Sequence, residues 1–551
     1  MPEGLRYALL ALDVDGTLVT GTKRLLPEVR LAIRAAQEAG IQVVLATGRM
    51  YQAVAPWVKE LGLTAPQIGN NGADIVDPVT GRFLRKLTLD PAATAQALEF
   101  GREKKVAIAL FSGDHILTPL KTGDHWLIER NREPVAETSF DELRRDPPPT
   151  EKLLYLDRAN PERLVALKAE FEARFQSAAG PRFKVEITEP GILNICHPAS
   201  GKVEALTELC RMLAIAPERV AAIGDSDNDA EMLRFAGLGI AMANATPPTL
   251  AAANRVTGGN EEAGVVPAIC GMVLEGVPRP PGGAGDLALK LRELRLNIRG
   301  LGSALIAFSG GVDSSLVLTL AAEELPPEKL LAVTAHSSIF PAQDRDAATG
   351  LAGHLGVRRQ ILETDARNQD WYETNPVDRC YRCKSGFYRA LGELAAAEGL
   401  AWVVDGENLD DLGAHRPGRR AAEECKVRSP LAEAGLVKVG VRALSRELGL
   451  ANWDRPANAC LATRFPHGAK LTPERLTAVA AAEAAVRALG FPQVRVRVLG
   501  DLARIEVEPA MVMQAQIAAP QLEVTVRAYG FREVEIDPAG YRMGRMDAPP
   551  V

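Results

Sequence analysis

The chain has 551 residues, 47% of them apolar and 24% charged, with a net charge of −6. That length exceeds what one hydrophobic core supports and predicts three or four domains. The negative balance weighs against a nucleic-acid-binding surface. The lack of any uncharged apolar run of about 18 residues weighs against a membrane-spanning helix, and seven cysteines in so long a chain weigh against a secreted disulfide framework. The N-terminus runs directly into a strand without the regions of a signal peptide, so a cytoplasmic, reducing setting is expected.

The first predicted strand, Leu9–Leu12, ends in Asp13-Val14-Asp15-Gly16-Thr17. Two carboxylates one residue apart at a strand tip present oxygen ligands suited to a hard cation. A strand over 43–46 ends in Thr47-Gly48-Arg49, and a polar loop, Asn70-Asn71-Gly72-Ala73, follows. The block between Asp74 and Gly191 carries strands of its own over 105–111, 153–157 and 184–188, interleaved with helices over 92–100 and 164–175. Lys202 then opens a helical stretch, and a strand over 220–223 ends in Gly224-Asp225-Ser226-Asp227-Asn228-Asp229. Asn194 and Asn260 read equally as turn formers and as ligand contacts.

In this order the four motifs resemble those of the haloacid dehalogenase-like phosphatases, and the inserted block resembles the large cap of their Cof-type subfamily. The resemblance implies that Asp13 is a nucleophile that becomes phosphorylated and Asp15 the acid and base. It implies a Mg2+ site at Asp13, Asp15 (through its carbonyl), Asp225 and Asp229, and phosphate contacts from Thr47, Gly48, Lys202 and Asn228. The cap, at about 80–190, would set specificity for a small phosphorylated substrate.

A proline- and glycine-rich stretch over 275–286 reads as a linker, and a helix over 287–297 places Leu287, Leu291 and Leu294 on one face. A strand over 303–308 leads into Ser309-Gly310-Gly311-Val312-Asp313-Ser314-Ser315. Such a turn lets backbone N–H groups and a helix N-terminus face an anion, and no lysine follows the glycines as it would in a Walker A loop. The run resembles the PP-loop of ATP pyrophosphatases, which implies ATP contacts from Ser309, Gly310, Gly311, Asp313, Ser314 and Ser315.

Further segments resemble the LarE family of ATP-dependent sulfur transferases: 379–384, 405–408, Asp411, 416–418, 428–431, 458–464, 500–506 and 540–542. The resemblance covers 287–548 and implies adenylation of a pyridinium carboxylate mononucleotide, followed by thiocarboxylate formation for the nickel-pincer nucleotide cofactor. Cys460 matches the sulfur-bearing cysteine, and Arg416, Arg428 and Arg464 match substrate contacts. Cys380-Tyr381-Arg382-Cys383 adds two thiols at metal-ligand spacing. Three readings stay open: Cys380, Cys383 and Cys460 as ligands of a [4Fe-4S] cluster, a sacrificial Cys460, or a zinc or redox pair, with Cys425 as an optional fourth ligand. Cys196, Cys210 and Cys270 read as inert core thiols. Trp371, Tyr372 and Trp453 read as core residues or stacking platforms.

Residues 490–551 predict a small α+β domain with strands over 493–499, 503–508 and 522–528, and helices over 482–489 and 510–519. The expected architecture is α/β: two Rossmann-like parallel-sheet units, one haloacid dehalogenase-like over 1–274 with an inserted α+β cap, the other of PP-loop type over 287–489, plus the small domain. The implied partners are phosphorylated and pyridinium nucleotide small molecules and, compatibly, a second copy of the chain, with no membrane or nucleic acid. Two alternatives stay open: a tRNA thiolase in the second half, or a first half that serves only as a binding or oligomerisation module.

Overall fold

A computed structural model of the chain describes residues 5–131, 133–175, 181–337, 339, 342–364, 370–413, 417–456 and 459–542. The chain divides into two units, Met1–Arg292 and Glu293–Val551. The division falls inside the helix Ala284–Gly300, which starts earlier and runs longer than the sequence predicts. Among the described residues, no helix is long and apolar enough to cross a membrane.

The first unit is built on a parallel five-stranded sheet in the order Arg255–Val256, Leu238–Ala241, Val220–Gly224, Leu9–Leu12, Gln42–Leu45. Leu9–Leu12 lies between Val220–Gly224 and Gln42–Leu45 and is fully buried, as an uninterrupted apolar run covered on both faces should be. Proline at the first turn of Pro27–Glu38 fits a position whose N–H has no helical partner. The same device, with the Asp90 side chain accepting from the Ala93 N–H, starts the cap helix Pro91–Glu103.

The inserted cap is a six-stranded sheet in the order Lys184–Glu189, Ile192–Cys196, Lys152–Leu156, Ala107–Ser112, His115–Thr118, Val135–Glu137, antiparallel except for its last pair. Its helices pack on one face around Phe100, Tyr155 and Phe171. Ile192–Cys196 lies beyond the expected cap boundary. It carries Asn194, whose fully buried amide donates to Cys196 Sγ at 3.6 Å, so this candidate contact belongs to the cap sheet.

The second unit holds a parallel four-stranded sheet, Arg358–Glu363, Leu330–His336, Ala304–Ala307, Trp402–Val404. Its small C-terminal sheet pairs Val494–Leu499 antiparallel with Leu502–Val507, and the latter parallel with Glu533–Ile536. The strand expected over 522–528 is instead the helix Ala519–Arg527. Leu522 and Val526 are both fully buried and four apart, whereas Val524 is 72% exposed, so the apolar spacing serves a helix face.

Arg464 and Glu483 form a fully buried pair in this unit, with Arg464 Nε 2.8 Å from Glu483 Oε1 and Nη2 3.1 Å from Oε2. Removing one member leaves the other charge uncompensated. Glu483→Ala should therefore lower the unfolding free energy of the second unit by about 3–5 kcal/mol, read from urea denaturation of the full chain, with Glu483→Gln retaining part of the loss because one acceptor oxygen survives.

Candidate active sites

In the first unit the strand tip after Leu12 delivers Asp13, which is 4% exposed. Lys202, the first residue of the helix Lys202–Met212, donates to Asp13 Oδ1 and Asp229 Oδ1, both at 2.6 Å. Asp229 is itself fixed, its Oδ2 accepting from the backbone N–H of Asp225 at 3.1 Å and of Ser226 at 3.0 Å. Thr17 donates to Asp225 Oδ1 at 2.9 Å. Gly16 has φ +77°, and a Cβ there would collide with the Asp225 carboxylate, so glycine is required on two counts.

Oxygens of Asp13, Asp225 and Asp229 lie within 4.8 Å of one another, the tightest grouping of ligand atoms of this kind among the described residues. Burial pushes Asp13 well above the usual carboxylate range, Lys202 opposes this, and Asp229 and Asp225 reinforce it. Burial and then Asp229 push Asp225 up to about 6. One ammonium thus faces three buried carboxylates. The deficit of positive charge and the all-oxygen donor set fit a divalent hard cation such as Mg2+.

Asp15 is turned elsewhere. Its carboxylate accepts from Arg49 Nε at 2.6 Å, from Arg49 Nη2 and from Lys23. Burial alone would raise it, but Arg49 and then Lys23 hold it down at about 2. Its side chain therefore stands apart from the metal-ligand trio.

Thr47 is buried, its Oγ1 accepting from the Arg49 N–H at 3.1 Å. Asn228 donates to Asn71 Oδ1 at 3.0 Å, and a Cβ on Gly48 would stand 2.9 Å from that same oxygen. Thr47, Gly48, Asn71, Lys202 and Asn228 all line one cavity of about 100 Å3 together with Asp13 and Asp15. Asn260 instead braces the loop, donating to the Val19 carbonyl at 3.0 Å.

Sequence reasoning assigned no role to Arg49, Lys23 or the cap residues Asn131, Glu133 and Lys152. Arg49 Nη1 reaches the Asn131 carbonyl at 3.0 Å, the Met50 N–H donates to Glu133 Oε1 at 3.0 Å, and Lys152 donates to the Gly48 carbonyl. Each is separated by 80 or more positions from its partner, beyond any local pattern.

In the second unit the strand Ala304–Ala307 runs into the glycine turn and the helix Val312–Glu324, whose first turn has no side-chain cap. Gly310 has φ +75°, and Ser309 Oγ lies 3.1 Å from Ser314 Oγ. Asn452 donates to the Gly310 carbonyl at 3.2 Å and to Ser315 Oγ at 2.9 Å. Asp313 accepts from Asn408 Nδ2 at 3.2 Å and pairs with Lys438. Lys438 is the first residue of the helix Lys438–Glu447. Gly406 packs so closely on this turn that a Cβ would stand 2.8 Å from the Ser314 nitrogen.

The structure brings Cys380, Cys383 and Cys460 together. Burial, followed by the neighbouring Cys460 and Cys380 thiols, pushes Cys383 up to about 12, with Lys384 opposing. Cys383 and Cys460 pack on one apolar cluster, whereas Cys425 packs on another with Tyr381 and Val427. Burial raises Cys196 to about 12 and Cys210 and Cys270 to about 11, in keeping with inert thiols.

Arg464 does not present its guanidinium to a ligand. It is fully buried, bonded to Glu483, to the carbonyls of Ala459 (2.9 Å) and Cys460 (3.2 Å), and to Thr463 Oγ1 (2.9 Å). Its charge is spent on holding the Cys460 turn. Arg428 forms a two-point pair with Glu433, both contacts 2.7 Å, while its backbone secures Asp405. Arg416, Asn458 and the Trp371 side chain lie outside the described residues. Tyr372 is a core residue, 3% exposed. Arg495 and Arg497, unremarked in the sequence, sit beside this turn: Arg497 donates to the Thr463 carbonyl at 2.7 Å, and burial and then Arg464 pull Arg495 down to about 10.

The family model for haloacid dehalogenase-like hydrolases matches residues 10–269, and that for asparagine synthase matches 299–374. The chain is 30% identical over 277 residues to the putative phosphatase YxeH of Bacillus subtilis, covering 49% of this chain and 99% of that one. It is 40% identical over 261 residues to the pyridinium-3,5-bisthiocarboxylic acid mononucleotide synthase of Lactiplantibacillus plantarum, covering 47% of this chain and 95% of that one. The chain is a haloacid dehalogenase-like hydrolase fused to a LarE-family PP-loop protein. A further relative, the uncharacterized protein slr1717 of Synechocystis, is 41% identical over 263 residues, 47% of this chain and 98% of that one.

The hydrolase unit places an unusual demand on the loop before its cap. Asn70 and Asn71 have φ of 49° and 52°, and a Cβ on Gly72, at φ +84°, would overlap the Gly201 carbonyl. Gly201 immediately precedes Lys202, so this contact sets where the lysine starts. Gly72→Ala should cut kcat on p-nitrophenyl phosphate by about 10²-fold, the scale of a 1 Å misplacement, while circular dichroism shows a folded chain. Because Asp225 is protonated below about 6, Mg2+ must compete with a proton there. Calorimetric Mg2+ affinity should be level near pH 7.5 and weaken by about tenfold per pH unit below 6.

Proposed function

We propose that the chain is a bifunctional enzyme: a Mg2+-dependent phosphomonoester hydrolase joined to an ATP-dependent sulfur transferase that converts a pyridinium carboxylate mononucleotide to a thiocarboxylate. The observation that carries the first activity is Lys202, held between Asp13 and Asp229 at 2.6 Å. An Asp13 oxygen attacks phosphorus and the alkoxide leaves with a proton from Asp15. Asp15 then takes a proton from water, whose oxygen displaces Asp13 and releases phosphate. Asp13, Asp225 and Asp229 would hold Mg2+, which supplies charge neutralisation for the phosphoryl group. Arg49 keeps Asp15 ionised in the free protein; the entering phosphomonoester monoanion competes for the guanidinium and passes its proton to Asp15, which then hands it to the leaving alkoxide.

In the second unit the turn 309–315 would hold the ATP phosphates, and Lys438 supports that reading by bringing positive charge to a cradle that has none of its own. The substrate carboxylate attacks the α-phosphorus and pyrophosphate leaves. A sulfur nucleophile then attacks the acyl carbon and AMP leaves. The proximity of Cys383 to Cys380 and Cys460 supports the reading in which the three side chains, losing their protons on binding, would hold a [4Fe-4S] cluster, the group that supplies transferable sulfide. A sacrificial Cys460 is the second reading, favoured by its place on the turn that Arg464 secures.

Phosphatase turnover should vanish in Asp13→Asn while ATP–pyrophosphate exchange persists. Intact mass after sulfur transfer, with iron and sulfide analysis of anaerobically purified protein, separates the sulfur sources. An unchanged chain with about four irons marks the cluster, and loss of the elements of hydrogen sulfide at Cys460 marks sacrifice. ATP that is never cleaved to AMP and pyrophosphate, with a pyridinium carboxylate and Mg2+ supplied, would end the second assignment.

A further inference from the structure

The cavity above Asp13 is lined on its cap side by an apolar wall of Phe111, Ile128, Leu154 and Ile192 and by two buried charged groups, Glu133 and Lys152. Glu133 is 4% exposed. Its Oε1 accepts from the Met50 N–H at 3.0 Å, and among the described residues nothing donates to its Oε2. A carboxylate oxygen without a donor, on a buried residue that lines a cavity, is a built acceptor for something that enters it.

Lys152, 5% exposed, is the countercharge nearest in effect. Its ammonium donates to the Gly48 carbonyl and lies 4.0 Å from the Phe111 ring centroid. Drawing it toward an incoming anion would withdraw it from Gly48 and leave Glu133 uncompensated. A second carboxylate, Glu189, also lines the cavity, paired with Arg130 at 3.5 Å on its solvent side. Arg49 and Lys23 are engaged below by Asp15, and Lys202 by Asp13 and Asp229. Among the described residues, Lys152 is the one cation in this lining without a carboxylate ion pair, and it is held by the Gly48 carbonyl and offsets Glu133.

We infer that the cap accepts phosphomonoesters whose leaving group is uncharged or cationic and turns away those that carry a carboxylate, with Glu133 as the discriminating residue. A hydrogen-bond donor or a positive ring satisfies the open oxygen, whereas a carboxylate meets a like charge where water is scarce. This rests on both activities proposed above and adds a reason for their coexistence. The substrate of the LarE-like unit is itself a phosphomonoester bearing carboxylates, and a phosphatase on the same chain must spare it.

The test uses the full chain and two mononucleotides that differ only in carboxamide against carboxylate, nicotinamide mononucleotide and nicotinic acid mononucleotide. Ribitol 5-phosphate and 5-phosphoribonate carry the same contrast without the ring. The expected result is a preference of about tenfold or more in kcat/KM for the uncharged member of each pair, shrinking by about the same factor in Glu133→Gln, which keeps the acceptor for Met50. Equal rates on both members by the wild-type chain, or an unchanged ratio in Glu133→Gln, would overturn the inference. The wild-type ratio decides by itself if the variant does not fold. Turnover of p-nitrophenyl phosphate without discrimination removes only this inference. No turnover of that ester removes the phosphatase assignment and the inference with it.

Discussion

Three carboxylates cannot occupy one buried corner without positive charge among them, and the first unit is organised around that constraint. Lys202 supplies the first cation from a helix start almost two hundred positions away in sequence from Asp13. Its location depends in turn on the close backbone contact between Gly72 and Gly201. The remaining deficit registers in the raised proton affinities of Asp13 and Asp225, and a divalent cation relieves it. Asp15 escapes the same penalty only because Arg49 and Lys23 neutralise it on the other side of the strand tip. The division of labour between two carboxylates one residue apart follows from which cations each one meets.

The second unit balances charge by the same means with different parts. Its 309–315 turn contains an aspartate and no lysine, and Lys438 arrives from a later helix to pair with that aspartate. The Cys460 turn is supported from within by Arg464, whose guanidinium is saturated by Glu483 and three main-chain or hydroxyl oxygens. A buried charge pair of this sort contributes little net stability compared with an apolar replacement, but it fixes the geometry of the segment it binds. Here that segment carries one cysteine of a clustered set, and apolar packing alone specifies direction poorly.

The cap of the hydrolase unit is more than a cover. Through Asn131, Glu133 and Lys152 it grips residues 48–50, which follow Thr47 directly and include the Arg49 clamp on Asp15. The cap side chains that line the cavity are therefore tied by hydrogen bonds to the segment that clamps Asp15.

The motifs were legible in the chain because each is local: a strand tip with two carboxylates, a threonine after a second strand, a glycine turn after a third, each read from neighbours a few positions apart. The helix Ala519–Arg527 was not, because Leu522, Val524 and Val526 satisfy an alternating pattern as well as a helical one, and only burial of the first and third distinguishes them. Arg464 and Arg428 looked like ligand contacts from their motif surroundings, yet their partners Glu483 and Glu433 are ordinary acidic residues in sequence. By itself the sequence determined two α/β units and the motifs that sit at their strand ends. Only the tertiary structure decided which cations serve which carboxylates and that Arg464 is an internal strut. Most of those pairings join residues tens to hundreds of positions apart, and an electrostatic partner across such a distance leaves no periodicity to read.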